Sequence, residues 1–141
     1  MRMLVSACLL GCNCRYDGSH RASEKVAKLR ENHELIPVCP EQLGGLATPR
    51  LPSEIVGNKV LAQDGSDVSL AFQRGAHETL KLARLLGCET AVLKSLSPSC
   101  GYGEVYDGTF TGGKRPGKGV TAALLEHAGL RILTEEQTEG L

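Results

Sequence analysis

Three of the six cysteines stand where chain topology could gather them into one chemical site. Cys8 closes the run V-S-A-C-L-L-G, Cys39 lies in I-P-V-C-P-E-Q-L-G-G, and Cys100 in L-K-S-L-S-P-S-C-G-Y-G. Each follows or ends a short apolar run that reads as a buried strand. Parallel strands share a direction, so their C-terminal ends line up along one rim, where open α/β sheets bind ligands. Glycines follow all three cysteines (Gly11, Gly44, Gly45 and Gly101), and Pro40 and Pro98 stiffen two of the loops. Thiolates are soft donors, so three of them on such a rim suit a soft metal centre. Zinc is one option, but structural zinc sites draw on close C-x-x-C pairs, and this chain has none. Widely separated single cysteines fit an iron–sulfur cluster better, although spacing alone does not decide the metal. Small buried hydrophobes are the alternative reading of the same cysteines. Cys12 and Cys14 form a C-x-C beside Cys8 and stand as further ligands, a sulfide relay or spare thiols. Cys88, directly after Gly87, reads as core.

The elements that would position these residues alternate in type. Arg2–Ala7, Leu35–Val38, Thr90–Lys94 and Leu130–Leu133 read as strands apolar on both faces. Between them, helices are expected over Ser23–Asn32, Asp67–Leu86 and Val120–Ala128. In the longest, Phe72, Ala76, Leu80 and Ala83 share a face, Asp67 is the expected N-cap and Gly87 the stop. Gly75 inside it costs about 1 kcal/mol relative to Ala, which calls for close packing there. A hairpin is expected over Glu54–Leu61, turning at Gly57-Asn58. Strands alternating with helices imply a parallel sheet with helices on both faces. The expected fold is a small Rossmann- or flavodoxin-like α/β domain spanning residues 1–141.

Composition narrows the function classes. Sixteen basic and sixteen acidic residues cancel, and 41% of the 141 residues are hydrophobic. That balance is unlike a dedicated duplex-DNA binder. No apolar run approaches the roughly 20 residues that cross a bilayer, and Met1–Leu10 lacks the features of a secretory leader. A cytoplasmic protein is expected. There thiols stay reduced, so the cysteines point to metal or catalysis before disulfides.

Three segments carry a family resemblance: S-A-C-L-L-G followed by C-R-Y-D-G, then P-V-C-P-E-Q-L-G-G-L-x-T-P-R, then K-x-x-S-P-S-C-G. In this order they resemble the thiouracil desulfidase family over nearly the whole chain. Ala47 departs from the pattern, standing where Pro is expected. The resemblance implies a 4Fe–4S cluster on Cys8, Cys39 and Cys100, with one iron open for the substrate's sulfur. It also implies catalytic roles for Glu41 and Ser97. The expected activity converts a thiolated pyrimidine, as base or nucleotide, to the oxo form without net redox change. Glu41 would deprotonate the attacking water, work that suits a partly desolvated carboxylate. Ser97 would orient the substrate or donate to the developing anion.

Other residues are candidates with structural alternatives. Arg15, Tyr16 and Asp17 either line the substrate pocket or form a salt-bridged turn. Ser99 is a substrate contact or a loop hydroxyl. The run Gly112–Gly119 nearly spells a P-loop, but Gly119 replaces the hydroxyl residue and no convincing strand precedes it. An NTPase is therefore rejected. As a loop feeding the Val120 helix, the run can still seat a substrate phosphate through Lys114 and Lys118. Two rival functions use the same residues. A non-catalytic cluster or sulfur carrier would need Cys12 or Cys14 as fourth ligand. A tRNA thiouridine desulfidase is disfavoured by the balanced charge.

Overall fold

The computed structural model describes residues 1–141. In chain order the elements are β1 (Arg2–Ser6), α1 (Glu24–Ala27), β2 (Glu34–Val38), α2 (Pro40–Leu43), β3 (Ser53–Val56), β4 (Lys59–Ala62), α3 (Ser69–Leu86), β5 (Thr90–Leu93), β6 (Tyr102–Tyr106), β7 (Lys114–Lys118), α4 (Val120–His127) and β8 (Arg131–Thr134). Short 3-10 turns follow β1 (Ala7–Leu10) and α1 (Lys28–Glu31).

The four apolar runs form one parallel sheet in the order β2-β1-β5-β8. Numbered within the sheet this is 2-1-3-4, a flavodoxin-like order that the strand pattern alone leaves open. The order reverses between β1 and β5, so the ligand crevice belongs beyond their C-terminal ends. Period-2 alternation sends side chains to two cores. Leu4, Ala91 and Leu93 pack with Leu80 and Ala83 of α3 and Ala122 and Leu125 of α4 on one face. Met3, Val5 and Val92 pack with Val26 and Leu29 on the other. Both faces are thus covered, as a parallel sheet requires. Cys88 lies in the first core, as its position suggested. No helix is long and apolar enough to cross a membrane.

Local signals in the sequence act as physics predicts. Ser23 Oγ accepts from the Val26 amide and starts α1, which tightens into a 3-10 turn short of the expected Asn32. Asp67 Oδ1 accepts from the Ser69 amide at the start of α3, although Val68 holds the N-cap position. Gly87, at φ 68°, ends that helix in the left-handed conformation. The expected close packing at Gly75 is backbone on backbone. A Cβ there would lie 1.9 Å from Pro40 O, and one at Gly44 would lie 2.0 Å from Ala71 O. Two glycines therefore let α2 lie directly on α3.

Two hairpins flank the sheet. β3 and β4 pair antiparallel around Gly57-Asn58, as expected. β6 and β7 pair antiparallel from Tyr102↔Lys118 to Tyr106↔Lys114, which corrects the reading of Lys114–Lys118 as a loop. A two-stranded ribbon tolerates Pro116 because no neighbour needs its missing N–H.

Candidate active site

The switch point carries a cavity of about 370 Å³. Cys8, in the turn after β1, lines it, as do Cys39 at the N-cap of α2 and Cys100 beyond β5. Cys14 lines it too, whereas Cys12 is exposed and stays outside. Sequence spacing did not separate these two; the turn after Cys8 does, burying Cys14 to 5% exposure. Cys39 Sγ lies 3.7 Å from Cys14 O.

Three of the cavity thiols are shifted toward the protonated form. Burial pushes Cys100 up to about 11, against opposing hydrogen bonds from Ser6 and Ser99. For Cys14 the contact with Cys39 favours the thiolate, but the contact with Cys8 and burial outweigh it and leave the thiol at about 11. Cys39 is raised further by its contact with Cys14 and by burial. A metal group loading here must displace these protons, and its positive charge is what makes the thiolates favourable. No three His, Cys, Asp or Glu side chains stand close enough together to chelate one ion. The all-sulfur donor set of Cys8, Cys39 and Cys100 suits a soft metal centre such as an iron–sulfur group.

Glu41 enters from the first turn of α2, two residues after Cys39. Its Oε1 accepts from Arg50 Nε at 3.0 Å, and its Oε2 from Ser99 Oγ at 3.3 Å. Glu41 is desolvated, as expected, but it is also ion-paired, which the sequence reading did not foresee. Arg50 further donates to Cys14 O at 3.0 Å, Thr48 Oγ1 at 2.9 Å and Ala47 O at 3.2 Å. The available signal was the T-P-R end of the second motif.

Ser97 Oγ accepts from the amides of Ser99 and Cys100 at 3.1 and 3.0 Å and lies 3.1 Å from Ser99 Oγ. Ser99 is 2% exposed, and its hydroxyl also reaches Cys100 Sγ at 3.6 Å. Lys94, on the same wall, pairs with Glu135 at 2.9 Å. Leu96 and Phe110 line the cavity at φ 69° and 58°. Left-handed backbone at a non-glycine residue costs about 1–3 kcal/mol and clusters at functional sites.

The remaining candidates divide. Arg15 and Tyr16 line the cavity, with the guanidinium 5.5 Å from the ring centre. Asp17 does not line it. Its carboxylate accepts from the amide and hydroxyl of Ser19, which holds it below the usual range. Lys114 and Lys118 also lie outside. Lys118 pairs with Glu126 beside Tyr102. The amides of Val120 and Thr121 are taken by Pro98 O and Ser99 O, both at 2.9 Å. The start of α4 thus holds the Cys100 loop and has no free amides there for a phosphate, which removes the basis of the anion-site expectation. Glu54 is a cavity residue that sequence reasoning missed.

Residues 3–137 match the 2-thiouracil desulfurase family. The chain is 46% identical to the uncharacterized protein YbbK of Bacillus subtilis (strain 168), with 96% of each chain covered. A solved structure of the [4Fe-4S]-dependent thiouracil desulfidase TudS superposes with a TM-score of 0.92 at 42% identity, covering 97% of this chain and 92% of that one. The resemblance carried by the three cysteine motifs is therefore borne out across the whole fold, and the chain belongs to the 2-thiouracil desulfurase family.

Proposed function

We propose that this protein is a cytoplasmic desulfidase replacing the sulfur of a thiolated pyrimidine by oxygen and releasing sulfide without net redox change. Cys8, Cys39 and Cys100 would hold a 4Fe–4S cluster, and Cys14 would remain a neighbouring free thiol. Such a cluster supplies an iron with an open position that acts as a Lewis acid toward sulfur. The chain's own residues do the rest. Glu41 accepts the proton of the attacking water and returns it later. Arg50 fixes the direction of that carboxylate. Ser97 holds the amides of Ser99 and Cys100, and the Ser99 hydroxyl would donate to the anion developing on the ring. Arg15 and Tyr16 close the cavity beside the ring.

One observation carries this reading: the Ser99 hydroxyl lies within reach of both Glu41 Oε2 and Cys100 Sγ. The proposed base and a proposed cluster ligand are thus joined through one side chain in one cavity. Iron and sulfide analysis after anaerobic purification, with sulfide release from 2- and 4-thiouracil, tests it. Ala at Cys8, Cys39 or Cys100 should abolish iron retention, whereas Ala at Cys12, Cys14 or Cys88 should keep it. Iron lost equally with Cys14→Ala would favour a fully ligated cluster and the carrier function.

A further inference from the structure

Glu54 is the one buried carboxylate of the cavity without a cationic partner. It sits on β3, 9% exposed, and lines the cavity. Its Oε1 accepts from the amides of Gly108 at 2.9 Å and Phe110 at 3.2 Å, in the loop between β6 and β7. None of the six ion pairs includes it. The other carboxylate lining the cavity, Glu41, is neutralised by Arg50. Oε2 has no hydrogen-bond partner in the protein. It is also not sealed away, since the buried side-chain atoms lacking both partner and access are His33 Nε2 and Thr121 Oγ1. A buried carboxylate oxygen left unpaired is costly unless a donor meets it. In the cavity that Glu54 lines, that donor is water or the N–H of a bound ligand that displaces it.

We infer that Glu54 is the specificity-determining residue that recognises a ring N–H of the thiopyrimidine, Oε2 accepting from it while Oε1 holds the β6–β7 loop. This rests on the desulfidase reading for the identity of the ring. A thiouracil carries N–H donors on its edge and no cation, so it supplies what Oε2 lacks. Glu41, Ser99 and the thiols come from the segments that follow β1, β2 and β5. Glu54 comes from the hairpin side, so a ring gripped there is fixed in orientation before its sulfur is engaged. The same contact disfavours pyrimidines whose ring nitrogens are both alkylated. The substrate class is therefore a thiolated pyrimidine with at least one free ring N–H.

The geometry makes Glu54→Gln an informative substitution. Gly108 and Phe110 both donate to Oε1, so the amide oxygen must stay there and the NH2 must replace Oε2. The loop contacts survive while the cavity atom turns from acceptor to donor. A hydrogen bond to a charged group contributes about 1.5–3 kcal/mol, or roughly 10- to 100-fold in affinity. With cluster-loaded protein, Glu54→Gln should raise KM for 4-thiouracil by that factor at unchanged iron content. With 1,3-dimethyl-4-thiouracil, which has no N–H, wild type and Glu54→Gln should differ less than twofold. Equal ratios for both substrates, or an unchanged KM for 4-thiouracil, would overturn the assignment. Calorimetric binding of uracil reads the same contact without turnover. Wild type should bind uracil at least tenfold more tightly than 1,3-dimethyluracil, a comparison that holds even if the variant does not fold; equal affinities overturn the assignment. Glu54-dependent uracil binding without any sulfide release would sink the desulfidase reading and keep the N–H contact. Sulfide release with uracil affinity independent of Glu54 would do the reverse.

Discussion

Arg50 Nε lies 3.0 Å from Glu41 Oε1, with the two side chains only 10% and 15% exposed. The pair bridges the start of α2 and the loop leading to β3, and Arg50 also binds Cys14 O. One guanidinium therefore sets the direction of the proposed base and the backbone beside a cavity thiol. In water such a pair would contribute little, but here both groups are largely removed from solvent.

Removing one partner should leave an uncompensated charge. Arg50→Met is expected to lower stability by about 3 kcal/mol, the range seen when buried pairs are broken. Arg50→Lys keeps the charge but loses the planar fork that spans Glu41, Thr48 and Cys14, so it should fall between the two. Urea denaturation at matched iron content measures this. A loss below about 0.5 kcal/mol for Arg50→Met would mean the pair is open to solvent.

Gly75→Ala offers a test where helix propensity and packing oppose each other. Propensity favours Ala by about 1 kcal/mol. The new Cβ, however, would meet Pro40 O at 1.9 Å, and neither backbone can yield as a side chain would. Packing should win, with a net loss of about 1–3 kcal/mol. Because α2 carries Cys39 and Glu41 at its start, iron retention should fall as well. Thermal melts and iron content of the same preparations read both effects.

These contacts show where sequence reasoning reaches and where it stops. The four sheet strands were legible because burial on both faces leaves unbroken apolar runs such as T-A-V-L. The convergence of Cys8, Cys39 and Cys100 followed from strand direction alone. β7 was not legible: K-R-P-G-K has no apolar face, and its pairing is set by β6 across a ribbon. Arg50 and Glu54 were missed for a different reason. Each acts through a partner that only tertiary folding supplies, Glu41 for one and the β6–β7 loop for the other. Cys12 and Cys14 are equivalent in pattern, and only the path of the turn sends one inward.

A pH dependence follows from Glu135. Burial works to raise its carboxyl, but the Lys94 ammonium and the Ser95 amide outweigh it, so the folded value lies below the ordinary 4.5. A depressed carboxyl stabilises the fold fully above its unfolded value and loses that contribution as pH falls through the folded one. Glu135→Gln should therefore destabilise the protein at pH 7, with the gap to wild type narrowing below about 4.5. Denaturation midpoints of both proteins from pH 7 to pH 3 provide the measurement. A gap that stays constant across this range would show that the Lys94 pair adds nothing beyond the hydrogen bonds Gln retains.

The last prediction separates proton transfer from assembly of the site. Glu41→Gln keeps side-chain size and leaves an oxygen to accept from Arg50 Nε, so the start of α2 should hold its place. The NH2 then replaces the oxygen facing Ser99, and the group can no longer take a proton from water. General acid–base groups contribute about 10²- to 10⁴-fold, or roughly 3–5 kcal/mol of barrier at 1.36 kcal/mol per tenfold. The kcat for 4-thiouracil should fall by that factor, while KM and iron content change little, since Glu41 is proposed to bind neither sulfur nor iron. Ser97→Ala should behave differently. Its hydroxyl holds the amides of Ser99 and Cys100, so its loss should lower iron retention and kcat together. Loss of thiocarbonyl absorbance under anaerobic conditions, read beside iron content, distinguishes the two patterns. Near-normal kcat in a fully loaded Glu41→Gln protein would remove Glu41 as the base and pass water activation to another group of the cavity.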